Sequence, residues 1–244
     1  MELKLYEIHN MIVNSNSIFN GKFVTRRIPN DFYHNNEHQP EGELKTIDKI
    51  IEQLGLSNGY FVEIGASNDN NSNTTNVRAS SWDGLRIDGN PNGEGVVAHY
   101  VSNDNIVQVL NQYNVPKEFD FLSIDIDGQD YWVLKGLLEV YSPTFFCAEV
   151  NCAYPTDAGY SVPCDPSFRY QRNNYFGMNL RAVYELAIAK DYKLVTVCNH
   201  NAFFVRNQYE IVTAPVDNVI TVRSQLYKER SQRLAALNLP LERL

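Results

Sequence analysis

FDFLSIDIDGQDYWVLKGL, residues 119–137, runs from an apolar stretch ending at Asp125 through a polar turn into a second apolar stretch with helical spacing. A strand apolar on both faces that feeds directly into a helix is the β–α unit of a parallel sheet covered on both sides. The turn carries Asp125, Asp127 and Asp130 within six positions. Carboxylates so close repel one another unless a cation, a helix start or a bound ligand holds them, so the end of this strand is where chemistry is to be sought.

The same pattern recurs on either side. Leu44, Ile47, Ile50, Ile51 and Leu54 fall at helical spacing, and Gly55 stands where that helix stops. Short apolar runs follow at YFVEIG (60–65), GLRID (84–88), VVAHYV (96–101) and TFFCAEV (144–150), separated by helical or loop segments. A helix near 177–190 leads into YKLVTV and, after the turn CNHN, into AFFVR. So short a link permits only an antiparallel hairpin, and the sheet is expected to end in a reversed strand. The chain therefore reads as α/β: an arm over 1–42, one domain over 43–222 with an insertion at 154–177, and a C-terminal segment over 223–244 whose helix spans about 223–237.

The 244 residues suit a single well-buried core. The net charge of −8 provides no basic field for a phosphate backbone, so nucleic acid is excluded as a partner. The amino-terminal residues show no basic leader followed by an apolar run, and no segment has the length of a membrane span. A soluble, cytoplasmic protein is expected. Cys147, Cys152, Cys164 and Cys198 form no CxxC pair, which argues against a structural zinc site.

In an open parallel sheet the ligand sits beyond the carboxyl ends of the strands. The first strand ends at Glu63 and Gly65, and the second ends at Asp88, 23 positions after that glycine. An acid so placed is the acceptor for ribose hydroxyls in nucleoside-binding α/β folds. The turn GASNDN lacks the later glycines of a pyrophosphate cradle and brings in Asp69 instead. A cofactor with a ribose, no phosphate and a positive centre suits such a lining, and S-adenosylmethionine has these properties. A nicotinamide-dependent oxidoreductase is disfavoured on the same ground.

YFVEIGASNDNNSNT, WDGLRIDGNP and FDFLSIDIDGQDYWVLKGL, in that order, resemble the FkbM-like group of class I S-adenosylmethionine-dependent methyltransferases, many of which methylate sugar hydroxyls. SVPCDPSFRYQRNNYFG and NAFFVR resemble one branch of it, and the likeness runs from about Glu43 to Arg206. The resemblance implies a Rossmann-like, seven-stranded, mostly parallel sheet with the last strand antiparallel and helices on both faces. Carried over by position, Glu63 and the turn residues Gly65, Ala66 and Ser67 border the methionine and ribose. Asp88 holds the ribose hydroxyls, Ser102 and Asn103 border the adenine, and Asp125 lies at the cofactor or the reaction centre. The missing second glycine of the usual first motif is a departure from the group.

In that fold the fifth strand lies beside the fourth, so Asp125, Asp127, Glu149 and Asn151 come together as an oxygen-only set of the kind that binds magnesium or manganese. This is similar to metal-dependent O-methyltransferases, with an aspartate after the fourth strand and an acid plus asparagine at the fifth. Asp127 and Asp130 equally suit the start of the following helix, and Glu63 equally suits a core carboxylate with a structural partner. Asp127 and His200, the latter in the hairpin turn, are the candidate proton acceptors. The insertion is expected to form the acceptor wall: Tyr170 and Tyr175 offer flat faces to a sugar ring, and Arg169, Arg172 and Asn174 offer hydrogen bonds. The expected substrate is a sugar, nucleotide sugar or glycan hydroxyl. The alternatives are a non-sugar small molecule or a glycan-binding domain without turnover.

Overall fold

The computed structural model describes residues 40–66, 72–155, 157–198, 200–211, 237 and 239–244. The expected arm up to residue 39, Ser67 and Asp69 of the first turn, and all of the expected terminal helix except Leu237 lie outside the described residues. The chain enters through α1 (Pro40–Leu54), so helix begins three residues before the expected start of the domain.

Seven strands form the main sheet: β1 (Tyr60–Ile64), β2 (Asp83–Asp88), β3 (Val96–Ala98), β4 (Glu118–Ile124), β5 (Ser142–Glu149), β7 (Tyr192–Cys198) and β8 (Asn201–Arg206). Their order is β3-β2-β1-β4-β5-β8-β7, parallel from β3 through β5, with β8 antiparallel to both neighbours. This is the expected Rossmann-like arrangement, a seven-stranded, mostly parallel sheet with one reversed strand and helices on both faces. The chain winds outward from β1 to β3, then returns to place β4 on the other side of β1. The switch point therefore lies between the carboxyl ends of β1 and β4. Helices α2 (Thr75–Arg78), α3 (Ile106–Gln112), α4 (Asp130–Leu138) and α5 (Leu180–Ala189) make the connections. No helix among the described residues is long and apolar enough to cross a membrane.

Burial on both faces explains the unbroken apolar runs. Val62, Ile64, Leu122, Ile124, Phe146, Ala148 and Phe204 face one core, packed by residues of α3, α4 and α5. Phe61, Phe121, Phe145, Cys147, Phe203 and Val205 face the other, packed by Ile47 and Ile50 of α1 with Val77 and Trp82. Phe121 and Phe145 stack with ring centres 4.6 Å apart in the second core. Truncating Phe121, which is fully buried, to alanine would cost about 3–5 kcal/mol.

The third strand is shorter than the sequence pattern suggests. It ends at Ala98, and His99 turns its ring to Tyr113, with Nε2 3.0 Å from the Tyr113 hydroxyl. This is the edge of the sheet, where its residues are only partly buried and pairing on one side alone ends early. A second, two-stranded sheet lies apart from the main one: β6 (Tyr160–Ser161) pairs antiparallel with β9 (Glu242–Arg243). The last described residues thus return as a strand against the insertion.

Candidate active site at the carboxyl edge of the sheet

The end of β1 is fixed by backbone. The amides of Gly65 and Ala66 both donate to the Ile87 carbonyl, at 2.9 and 3.1 Å, and the Asp125 amide donates to the Ile64 carbonyl at 2.9 Å. Gly65 has φ +95°, and a Cβ there would stand 1.6 Å from the Asp125 carbonyl oxygen. Only glycine lets β1 turn this close to the end of β4. Asp88 stands next to that turn at the end of β2, where Oδ1 accepts from the Asn90 amide at 2.7 Å.

Glu63 belongs to the frame of this crevice. Its oxygens accept from Ser72 Oγ at 2.8 and 2.9 Å and from Thr74 Oγ1 at 2.8 Å, and Arg86 Nε pairs with it at 3.1 Å. All four residues are buried. The structural-partner alternative for Glu63 is the one observed: its carboxylate ties the chain after the first turn to β2. Ser102 lies in the turn that leads into α3, with its amide donating to Asn105 Oδ1 at 2.8 Å and its carbonyl accepting from the Ile106 amide. Asn103 lies against α4, its Oδ1 2.8 Å from where a Cβ on Gly136 would be. These two residues support the loop after β3.

The aspartate turn divides into frame and site. Asp130 is fully buried, and its two oxygens accept from the amides of Ile126 and Gly128, each at 2.9 Å. It pins the turn. Asp127 has φ +50° and Gln129 occupies the N-cap of α4, so the capping role considered for Asp127 is not taken. Asp125, Asp127 and Glu149 converge instead, with one oxygen of each within 4.8 Å of the others. Burial, reinforced by the charges of Asp130, Asp127 and Glu43, holds the Asp125 carboxyl well above the usual range. Burial raises Glu149 likewise, and Asp125 and Glu149 share a hydrogen bond. Asp127 is pushed up to about 6, by burial first and then by the charge of Asp130. Glu149 Oε2 is buried without a hydrogen-bond partner. Crowded carboxylates with an orphaned oxygen and no cationic side chain among the three are the donor set a hard divalent ion satisfies.

Asn151 is not part of that set. Its Nδ2 donates to the carbonyls of Asn174 and Phe176, both at 2.9 Å, and its Oδ1 accepts from the Ala153 amide at 2.9 Å. With both polar atoms committed and the residue 2% exposed, Asn151 anchors the insertion. His200 sits in the hairpin turn at the same edge of the sheet, its carbonyl accepting from the Val150 amide at 2.7 Å. Two residues at this edge have no precedent in the sequence pattern. Asn201 at the start of β8 pairs in register with Glu149, and its Nδ2 donates to Glu43 Oε1 of α1 at 2.7 Å.

The insertion arches over the edge. Trp132 Nε1 donates to the Val162 carbonyl at 2.9 Å, and Gln129 bonds to Pro163 and Asp165, which ties the segment to α4. Phe168 packs on Gly128, with ring carbon Cδ1 3.1 Å from the position of a Cβ there. Arg169 lays its guanidinium 4.4 Å from the ring centre of Tyr100, an exposed residue that itself packs on Gly89 beside Asp88. The segment thus reaches from the aspartate turn to the Asp88 end of the crevice. Tyr170 and Arg172 are exposed. Tyr175 donates its hydroxyl to the Pro240 carbonyl, and the Asn174 carbonyl is held by Asn151, so these two knit the wall together.

No family model matches the chain, and no curated protein does. Among solved structures it is similar to a candidate hemolysin from Lactococcus lactis, at 14% identity and a TM-score of 0.46 over 75% of this chain and 97% of that one. It is similar to the N-terminal domain of EvdMO1 with S-adenosylhomocysteine bound, at 8% identity and a TM-score of 0.41 over 84% of this chain and 95% of that one. It is also similar to magnesium protoporphyrin IX methyltransferase from Synechocystis PCC 6803 with S-adenosylhomocysteine bound, at 7% identity and a TM-score of 0.38 over 72% and 91% of the two chains. What this chain does has to be read from its own side chains.

Proposed function

We propose that this protein is an S-adenosylmethionine-dependent O-methyltransferase of the FkbM-like type. Its acceptor is a hydroxyl of a sugar, nucleotide sugar or glycan, and a divalent cation, magnesium or manganese, assists the transfer. The observation that carries the reading is the adjacency on one sheet edge of Asp88 beside the Gly65–Ala66 turn and of the oxygen cluster of Asp125, Asp127 and Glu149. Asp88 and Asp125 stand on strands two places apart, roughly 10 Å at the usual strand spacing, a distance that a nucleoside carrying a sulfonium side chain spans.

In this reading Asp88 accepts from the ribose hydroxyls, and the Gly65–Ala66 turn borders the cofactor. The acidic lining attracts the sulfonium and repels phosphate-bearing cofactors. The acceptor oxygen displaces the sulfide in line: the carbon–oxygen bond forms as the carbon–sulfur bond breaks, and sulfur keeps the electron pair. Asp127, the carboxylate of the acidic turn, takes the proton of the hydroxyl. An ion held by Asp125, Asp127 and Glu149 would stabilise the negative charge developing on that oxygen. Tyr170 and Arg172, exposed on the insertion, receive the sugar ring.

Calorimetric titration with S-adenosylhomocysteine, followed by labelled methyl transfer to monosaccharides, nucleotide sugars and oligosaccharides, tests this directly. Binding of the product cofactor and transfer to at least one acceptor are expected. A chain that neither binds it nor gains thermal stability in its presence is no methyltransferase. Transfer that survives chelation undiminished removes the ion from the mechanism and leaves the transfer itself standing.

A further inference from the structure

We infer that the neutral ligand of the proposed ion is Asn201, supplied by β8, and that Glu43 of α1 is the residue that positions it. The inference rests on the cation-assisted reading above and changes which strand completes the site. The asparagine expected for this role, Asn151, has both of its polar atoms committed to the insertion.

Asn201 is the register partner of Glu149, and partners across an antiparallel pair send their side chains to the same face, about 5 Å apart. Its side chain is buried, with the residue 3% exposed. One end of the amide is fixed by chemistry: Glu43 Oε1 lies 2.7 Å away, and an ionised carboxylate only accepts, so the NH2 group must face Glu43. The carbonyl end must then face away from Glu43, and there Asn201 Oδ1 is buried with no hydrogen-bond partner. Glu149 Oε2, on the neighbouring strand position, is orphaned in the same way. Two buried acceptors without donors on adjacent strand positions are each costly, and one cation between them satisfies both. Asp125, Asp127 and Glu149 supply the charged oxygens and Asn201 a neutral one, the mixture of carboxylate and amide carbonyl that hard divalent ions take. Glu43 acts behind it, as the carboxylate behind a ligand commonly does, by orienting the group that touches the ion.

The test uses the full chain and manganese alone, titrated by calorimetry and by loss of the free-ion paramagnetic resonance signal. Asn201→Ala should weaken manganese about tenfold or more, whereas Asn201→Asp combined with Glu43→Gln, which keeps an oxygen toward the ion and restores a donor–acceptor pair behind it, should bind at least as tightly as the parent protein. Glu43→Ala, at a partly exposed helix position, keeps the test open should Asn201→Ala fold poorly, and should weaken manganese several-fold. Glu43→Gln retains an acceptor for the amide and should stay within about threefold. Unchanged affinity in Asn201→Ala or in Glu43→Ala, with affinity abolished in Asp125→Asn, overturns the inference and leaves the cation in place. No manganese binding by the parent protein overturns both, and binding of S-adenosylhomocysteine then decides the methyltransferase reading separately.

Discussion

Gly65 and Asp125 meet backbone to backbone, so that the missing side chain of one is the room occupied by the carbonyl oxygen of the other. The end of the first strand and the start of the acidic turn are therefore one rigid object. Replacing Gly65 by alanine combines a left-handed backbone with a clash against main-chain atoms that cannot rotate away. We expect a loss of more than about 3 kcal/mol in chemical denaturation. A fully stable Gly65→Ala variant would show that the two loops separate freely.

Asp88 should matter for binding and little for folding. It is strand-terminal and partly exposed, and its hydrogen bond to Asn90 closes only a local turn. Bonds from a ribose to an ionised carboxylate contribute about 1.5–3 kcal/mol, so Asp88→Ala should weaken S-adenosylhomocysteine roughly 10- to 150-fold with a melting temperature close to that of the parent. Equal affinity in calorimetry would remove Asp88 from the cofactor site.

Glu63 should behave in the opposite way. Its pairing with Arg86 is buried on both sides, and removing one partner of such a pair leaves the other charged and dry, at a cost of about 3–5 kcal/mol. Glu63→Ala is expected to unfold at markedly lower denaturant. Were it instead to fold normally and lose only cofactor affinity, Glu63 would belong to the crevice and not to its frame.

Asp127 carries a pH signature. Its proton is held up to about pH 6, against 3.8 for an ordinary aspartate. Between those values the folded chain binds protons that the unfolded chain has released, so this group lowers stability as pH rises from about 4 to 6, and its full penalty persists above. Asn tolerates the left-handed backbone at this position. Asp127→Asn without metal should therefore melt higher than the parent at pH 8 and level with it at pH 4. Saturating manganese at pH 8 should reverse the order, because the parent gains more from the ion. Differential scanning calorimetry reads both effects, and a melting difference independent of pH would contradict the crowding of charges at the turn.

Much of the fold is legible in the sequence, for a physical reason. Strands buried on both faces must be apolar throughout, so β1, β4 and β5 announce themselves, and ligands gather at the carboxyl edge, so Gly65, Asp88, Asp125, Asp127 and Glu149 stand out by position alone. What stayed hidden depends on register and on returning loops. Nothing in EVNCAY tells that Asn151 turns back to hold the carbonyls of Asn174 and Phe176. Asn201 reads as the polar first residue of a strand until the β5–β8 register sets it opposite Glu149. Glu43 reads as an ordinary charge in the first turns of a helix. Glu63 was visible as a buried carboxylate, but its partners Ser72 and Thr74 sit in a loop whose course no periodicity encodes.

The pairing of β6 with β9 has a consequence for how the molecule is made. Leu241 packs against the cluster of Ala153, Tyr154 and Val162, the Leu244 amide donates to the Gly159 carbonyl at 3.0 Å, and Tyr175 reaches the Pro240 carbonyl. During synthesis the central sheet can assemble once β8 has left the ribosome, with the crevice between the ends of β1 and β4 already in place. The insertion must wait for residues 239–244. A nascent chain would thus complete the carboxyl edge of its sheet before the segment that arches over that edge is locked down.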